Sequence, residues 1–286
     1  MKKTLVTGGC GFIGYRLTQR LISDGFDVDV IDNLSIGPEA KDVTNIGARF
    51  LGGDVRAMEN IQDLSYDYIF HLAALSRIQP SFKKPNSYFS VNVDGTRQVV
   101  EYSLRNKSKL IYAGSSSKHH NPELSPYAMS KHIGEELVRL YKKVYGLSSE
   151  IVRFYNVYGE GELTNSEMAA VIGTWRNSIE KEEPLKIVGD GEQRRDFTHV
   201  DDIVDGLMKV ALSQEKHEDG WELGTGKNYS INEVYQMFYE KFKCEKVNIP
   251  NQLGNYKKTL RINDDALNRL EWEPKKDLRE YILNLN

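Results

Sequence analysis

A glycine-rich turn, Thr7-Gly8-Gly9-Cys10-Gly11-Phe12-Ile13-Gly14, follows a short apolar run and opens an amphipathic segment, and no other stretch constrains this chain as much. The run Thr4–Thr7 reads as a first strand and Gly11–Asp24 as the helix after it. Gly8, Gly11 and Gly14 permit three things there: a tight turn, close backbone approach of a pyrophosphate to a helix N-terminus, and close helix–strand packing. The next strand, Val28–Asp32, ends in Asp32-Asn33, 18 residues past Gly14. A carboxylate there accepts both ribose hydroxyls of an adenosine and repels a 2'-phosphate, which favours NAD over NADP.

Further strands are expected at Arg49–Leu51, Ile69–Ala73, Leu110–Ala113 and Glu150–Phe154, with helices at Asn86–Arg105 and Tyr127–Tyr145 between them. This alternation predicts an α/β fold, a doubly wound parallel sheet with right-handed crossovers. After Asn156 the pattern changes to loops around helices near Ser166–Glu182, at Val200–Leu212, Asn232–Phe242 and Asp264–Leu270. The expected division is a nucleotide-binding domain of residues 1–158 plus about 195–213, and a smaller, interleaved α/β substrate-binding domain of about 159–194 plus 214–286. A net charge of −3 gives no electrostatic reason to expect nucleic acid, and no apolar run is long enough to span a bilayer. The N-terminal run is too short for a secretion signal, and Cys10 and Cys244 form neither a metal-binding nor a disulfide spacing, so a cytoplasmic protein without a metal is expected.

The chemistry-bearing candidates cluster at the carboxyl ends of the expected strands. Asp54-Val55, after the third, can reach an adenine edge. Leu72-Ala73-Ala74 closes the fourth in small residues that leave room for a ligand, although core packing explains an Ala pair nearly as well. Asn92 lies in the helix Asn86–Arg105 and, if buried, must bond something, either the neighbouring helix or an ordered water. Ser115 follows the fifth strand on the same edge. Ser125 reads as an N-cap and Pro126 as the first helical residue, which puts Tyr127 in the first turn and Lys131 four residues on, on one helix face. A phenol beside a cation and a helix N-terminus has its ionised form favoured, which lowers its pKa toward that of a general base. His119 and His120, by contrast, read as exposed loop residues.

Taken together, Thr7–Gly14, Asp32-Asn33, Leu72-Ala73-Ala74, Asn92, Ser115 and Tyr127-x-x-x-Lys131 resemble the extended short-chain dehydrogenase/reductase superfamily, whose nucleotide-binding half is a Rossmann fold. Arg153–Gly159 and Gly189–Asp202 narrow the likeness to its NAD-dependent nucleotide-sugar epimerase/dehydratase family, of the UDP-glucose 4-epimerase kind. The resemblance implies that Gly8, Gly11, Phe12 and Ile13 cradle the NAD pyrophosphate and that Asp32, Asn33, Asp54 and Val55 hold the adenosine. It also implies that Tyr127, Lys131 and Tyr155 line the nicotinamide end, and that Ser115, Tyr127, Asn156 and Arg195 contact a nucleotide-diphosphate sugar, a UDP-sugar above all; Leu72, Ala73, Ala74 and Asn92 are expected to belong to the cofactor site as well. A homodimer is implied too, through a four-helix bundle of the Asn86–Arg105 and Tyr127–Tyr145 helices, and the stripe Met129, Ile133, Leu137, Leu140 and Val144 is consistent with it.

Three segments depart from the family pattern. Ser115-Ser116-Ser117-Lys118-His119-His120 lacks the usual Val-Tyr-Gly, Tyr158-Gly159-Glu160-Gly161-Glu162 lacks the Pro-Arg that follows Tyr-Gly, and Gln252 stands where relatives often place a second diphosphate arginine. The first departure bears on the reaction. A 4,6-dehydratase of this family carries Asp-Glu after its catalytic Thr or Ser, and Ser116 and Ser117 cannot serve as those acids. Epimerisation at C4 is therefore the expected reaction, with Ser115, Tyr127 and Lys131 catalytic. Decarboxylation of a uronate is the nearest alternative; it requires a carboxylate clamp, for which Arg77 is the candidate. A non-catalytic NAD-binding regulator is the alternative from another class, and the complete Ser-Tyr-Lys set argues against it.

Overall fold

The computed structural model describes residues 1–37, 40–61 and 64–285, which include every site residue named above. Six strands, β1 (Lys3–Thr7), β2 (Asp27–Asp32), β3 (Arg49–Gly52), β4 (Tyr68–His71), β5 (Lys109–Ala113) and β6 (Ser149–Phe154), form one sheet, with Trp221–Leu223 as its seventh member. Every pairing in it is parallel, in the order β3-β2-β1-β4-β5-β6 followed by Trp221–Leu223. The strand order reverses between β1 and β4, so a crevice opens at their carboxyl ends. Buried Leu17, Leu21, Val204 and Leu207 pack on one face of the sheet, and Val99, Val100, Tyr102 and Val138 on the other. A third core gathers Ile172, Trp175, Ile187, Val234, Phe238 and Ile282 beyond the crevice.

The expected division of the chain places residues 214–286 on the sugar side. Trp221–Leu223 departs from it by pairing with β6 in the central sheet. The strand expected at Ile69–Ala73 stops at His71, because after Leu72 N–H donates to Thr7 O the chain turns out toward the crevice. The helix expected from about Ser166 starts at Val171, because Ser166 is in a turn where its side chain accepts from Met168 N–H at 3.1 Å. The expected helix Asn86–Arg105 is broken by a π-turn, Ser90–Asp94, between Pro85–Phe89 and Gly95–Arg105. Val200–Leu212 folds as the apolar pattern predicts. No helix among the described residues is long and apolar enough to cross a membrane.

The glycine turn is built as its spacing requires. Gly8 has φ +74°, and a Cβ there would lie 2.7 Å from Ala73 N; at Gly14 a Cβ would lie 2.1 Å from Gly8 O. Both neighbours are backbone and cannot step aside. Gly14→Ala is expected to cost about 3 kcal/mol of stability, the upper end of ordinary overpacking, and to displace the turn from its cofactor-binding shape. Urea unfolding and an NAD titration check both effects.

Candidate active site

The crevice is a cavity of about 770 Å³ that runs from the glycine turn, past the ends of β4 and β5, to the third core. Gly8, Gly11, Phe12, Ile13, Asp32, Asn33, Asp54 and Val55 line one end. Asp32 accepts from Cys10 N–H at 3.0 Å and Leu34 N–H at 2.8 Å, which fixes the carboxylate beside the turn. Asn33 Nδ2 donates to Asp54 at 2.8 Å, so the two expected adenosine residues form one unit. The Arg56 guanidinium, hydrogen-bonded to Asp54, holds that carboxyl well below the usual carboxylate range. A turn that only glycine can make, facing a carboxylate at the end of β2, fits a dinucleotide with a free ribose 2'-hydroxyl.

Mid-cleft, Leu72, Ala73, Ala74, Ser115, Tyr127 and Lys131 line the wall. Ser125 caps the helix Pro126–Tyr145 by accepting from Ala128 N–H at 3.1 Å, and Pro126 occupies its first position, so Tyr127 leaves the first turn. The Tyr127 hydroxyl lies 3.2 Å from Ser115 Oγ, which in turn receives Ser117 Oγ–H at 2.8 Å. Lys131 Nζ donates to Ala113 O and stands 4.6 Å over the Tyr112 ring. The expectation of a lowered tyrosine pKa does not hold here. Burial pushes the Tyr127 phenol up, opposed by its bond to Ser115 and by the Arg77 charge; Lys131 is not among its effective neighbours. Burial also lowers the Lys131 ammonium to about 8.

Two expected cofactor residues lie outside the cleft. Asn92 is buried in the π-turn, where it accepts from Leu75 N–H at 2.8 Å and donates to Leu75 O and Ser130 Oγ, both at 3.0 Å. It braces the loop after β4 against the Tyr127 helix. Tyr155 is buried, its hydroxyl donating to Glu222 at 2.6 Å, and the residue that lines the cleft is Phe154. Side chains alternate along an extended strand, so the neighbour of a cleft-facing Phe154 faces away. Asn156 and Arg195 both line the far end; Arg195 donates to Asn255 at 3.0 Å, and burial lowers it to about 10.

The two histidines expected to be exposed are both engaged. His119 bonds Glu222 at 2.8 Å, and His120 stacks on Tyr256 with ring centroids 4.0 Å apart. Two further cleft residues, Tyr256 and Glu162, carried little sequence signal, and a third, the candidate clamp Arg77, is placed in the cleft by the fold. Tyr256 is 8% exposed, and its hydroxyl has no hydrogen-bond partner among the described residues. Glu162 is 6% exposed, and neither carboxyl oxygen has a hydrogen-bond partner among the described residues. Arg77 has φ +101°, a conformation worth about 1–3 kcal/mol of strain in a non-glycine residue.

Arg176 Nη1 is 3.7 Å from Glu162, too far to hydrogen-bond, and burial drives the carboxyl up to about 8 from an ordinary 4.5. Between those values the folded protein binds more protons than the unfolded chain, so stability falls as pH rises through that window. Glu162→Gln is expected to flatten this slope and to stabilise the protein at pH 8 by on the order of 2–4 kcal/mol. Urea midpoints at pH 5 and pH 8 measure it.

A cradle for a dinucleotide, a Ser–Tyr pair and a lysine thus share one cleft in a doubly wound sheet, and residues 4–224 match the NAD dependent epimerase/dehydratase family. The chain belongs to that family. NAD is accordingly its cofactor, and the family's chemistry acts on nucleotide sugars. A UDP-glucuronate 4-epimerase of Thermodesulfobacterium geofontis is 31% identical, with 96% of this chain and 92% of that protein covered. A UDP-N-acetyl-alpha-D-glucosaminuronate decarboxylase of Bacillus cytotoxicus is 29% identical, with 84% and 80% covered. The crystal structure of a UDP-glucose 4-epimerase of Thermotoga maritima with UDP-glucose superposes with a TM-score of 0.89 at 29% identity, covering 98% of this chain and 96% of that one. Epimerases and decarboxylases thus both stand among the relatives of this chain.

Proposed function

We propose that the protein inverts C4 of a nucleotide-diphosphate sugar, a UDP-sugar above all, through a transient 4-keto intermediate. The observation that carries this reading is the Tyr127–Ser115 contact of 3.2 Å in a cleft where serines occupy positions 116 and 117. Gly8, Gly11, Phe12, Ile13, Asp32, Asn33, Asp54 and Val55 would hold NAD, which supplies reversible hydride acceptance when bound. Tyr127, as phenolate, takes the C4 hydroxyl proton with Ser115 bridging, and returns it after the sugar has presented its other face. Burial opposes that phenolate, so positive charge near it is needed to make it available. Arg77, which already draws the phenol's pKa down, provides that charge; Lys131, its ammonium held on Ala113 O, would hold the nicotinamide ribose. Asn156 and Arg195 hold the diphosphate, where a guanidinium gives charge-assisted bonds to phosphate oxygens.

Decarboxylation is the second reading: it too needs the substrate's carboxylate to be held, and Arg77 lines the same cleft. Incubation with NAD and a panel of UDP-sugars, followed by proton NMR and mass spectrometry, separates the two. A C4 epimer of unchanged mass is expected. A pentose with loss of carbon dioxide, or a 4-keto-6-deoxy sugar, would overturn epimerisation. For assembly, Leu140 and Val144 of the apolar stripe remain 49% and 58% exposed on the Tyr127 helix, a face on which a second copy would pack. Light scattering at micromolar concentration tests for the dimer.

A further inference from the structure

The cleft holds one guanidinium more than the cofactor and a nucleoside diphosphate require. Of its three arginines, Arg56 is committed to Asp54 through two hydrogen bonds, at 2.8 and 2.7 Å. Arg195, in the strand Arg194–Asp196 on the far wall, is oriented by Arg194 O and Asn255, as a diphosphate ligand must be. Arg77 lies on the near wall, just past β4, and only its Nε–H is bonded, to Met168 O at 2.8 Å. A guanidinium has five N–H donors, so four are left without a protein acceptor among the described residues. A partly buried cation with free donors in a binding cleft calls for an anion from the ligand.

The position of Arg77 says where on the sugar that anion sits. Ser76 O, one residue earlier, accepts from Tyr88 OH at 3.1 Å, and the Tyr88 ring meets Tyr127 edge-on at 6.3 Å. The charge of Arg77 is felt at the Tyr127 phenol. On the reading above, Tyr127 works at C4, and the only carbon outside the ring near C4 is C6, attached through C5. We infer that Arg77 grips a carboxylate at C6, which makes the substrate a nucleotide-linked uronic acid rather than a neutral hexose. The Met168 bond holds the guanidinium by its Nε–H and leaves both Nη groups to form the parallel two-bond fork that a carboxylate accepts. Glu162, the acidic side chain whose charge bears on Arg77, is itself pushed up to about 8 by burial, so it offsets little of this charge at neutral pH.

The same grip bears on the outcome of the reaction. Oxidation at C4 moves a hydride to NAD and the hydroxyl proton to Tyr127, leaving a β-keto acid. Loss of carbon dioxide from it would send the C5–C6 bonding electrons into the carbonyl. A cation paired with the carboxylate favours that charge staying where it is, so hydride returns to C4 with all six carbons retained.

This inference rests on the proposed epimerisation, and the test separates the two. The purified protein with NAD is assayed on UDP-glucuronate and UDP-glucose. Wild type is expected to favour the uronate by roughly 100-fold or more in kcat/KM, because an analogue that leaves a buried polar group unpaired is strongly rejected. Arg77→Ala should cut that ratio at least tenfold, and Arg77→Lys, which keeps the charge but not the fork, should fall between. Turnover of UDP-glucose with little of UDP-glucuronate would overturn the uronate assignment and leave epimerisation standing. An Arg77→Ala variant that loses both activities in equal proportion would also overturn it. A pentose product from UDP-glucuronate would uphold Arg77 as the clamp and overturn epimerisation.

Discussion

Tyr127→Phe is expected to lower turnover of a nucleotide sugar roughly 10²–10⁴-fold, the ordinary worth of a positioned general base. The phenol ring would stay in place, because it is held by the helix Pro126–Tyr145 and by its edge contact with Tyr88, so NAD affinity should change little. That combination distinguishes a lost proton acceptor from a damaged pocket. The measurement is single-turnover kinetics on the best substrate of the panel, alongside calorimetric titration of NAD. Near-normal turnover in the variant would sink the mechanism. Burial holds this phenol above its usual value, so activity should also rise with pH on the acid side and level off as the phenolate becomes available. Ser115→Ala should lower the rate less, because it removes the bridge and leaves the base.

The largest effect on stability is expected from Arg153→Ala. Arg153 is fully buried in β6 and donates to Glu135 at 2.8 Å, to Glu222 at 2.7 Å and to Asp219 at 2.8 Å. Glu135 and Glu222 are as buried as the arginine. Removing the cation would leave Glu135, among the described residues, with Arg139 as its one remaining guanidinium partner, at 2.9 Å, and Glu222 with His119 and Tyr155; breaking one side of such a cluster costs about 3–5 kcal/mol. Glu135 also accepts from Ser115 N–H at 3.2 Å, and Glu222 orients Tyr155 and His119. The ion cluster therefore sets the backbone that carries the candidate proton bridge. Guanidinium denaturation of Arg153→Ala and Arg153→Lys, with activity measured below the transition, tests both roles: Lys should recover part of the stability and less of the activity, since it cannot bond three carboxylates in one plane.

The central sheet and the two helices flanking the glycine turn and Tyr127 were legible because each rests on local signals that agree: an apolar run, glycines at fixed offsets, a Ser-Pro start. The cofactor cradle was legible for the same reason. The family likeness placed Tyr155 at the nicotinamide end but carried no information on where its ring points, and the ring turns inward to Glu222. Asn92 was foreseen as a buried asparagine in need of partners, yet its partner Leu75 lies 17 residues away and its π-turn leaves no mark in the apolar pattern. The Tyr127 pKa was misjudged because sequence shows the lysine four residues on but not the burial, nor that Ala113 O and the Tyr112 ring claim its ammonium. Glu162 and Tyr256 enter the cleft from loops, and only the tertiary structure brings them there.

The seventh strand of the central sheet, Trp221–Leu223, is the last to join, after a long excursion of the chain through the third core. Until residue 223 has left the ribosome, β6 keeps an open edge, and open strand edges are where nascent chains stick to one another. Glu222, which completes the ion cluster around Arg153, arrives on that same strand. Sealing the sheet and completing the ion cluster around its buried arginine are thus one event.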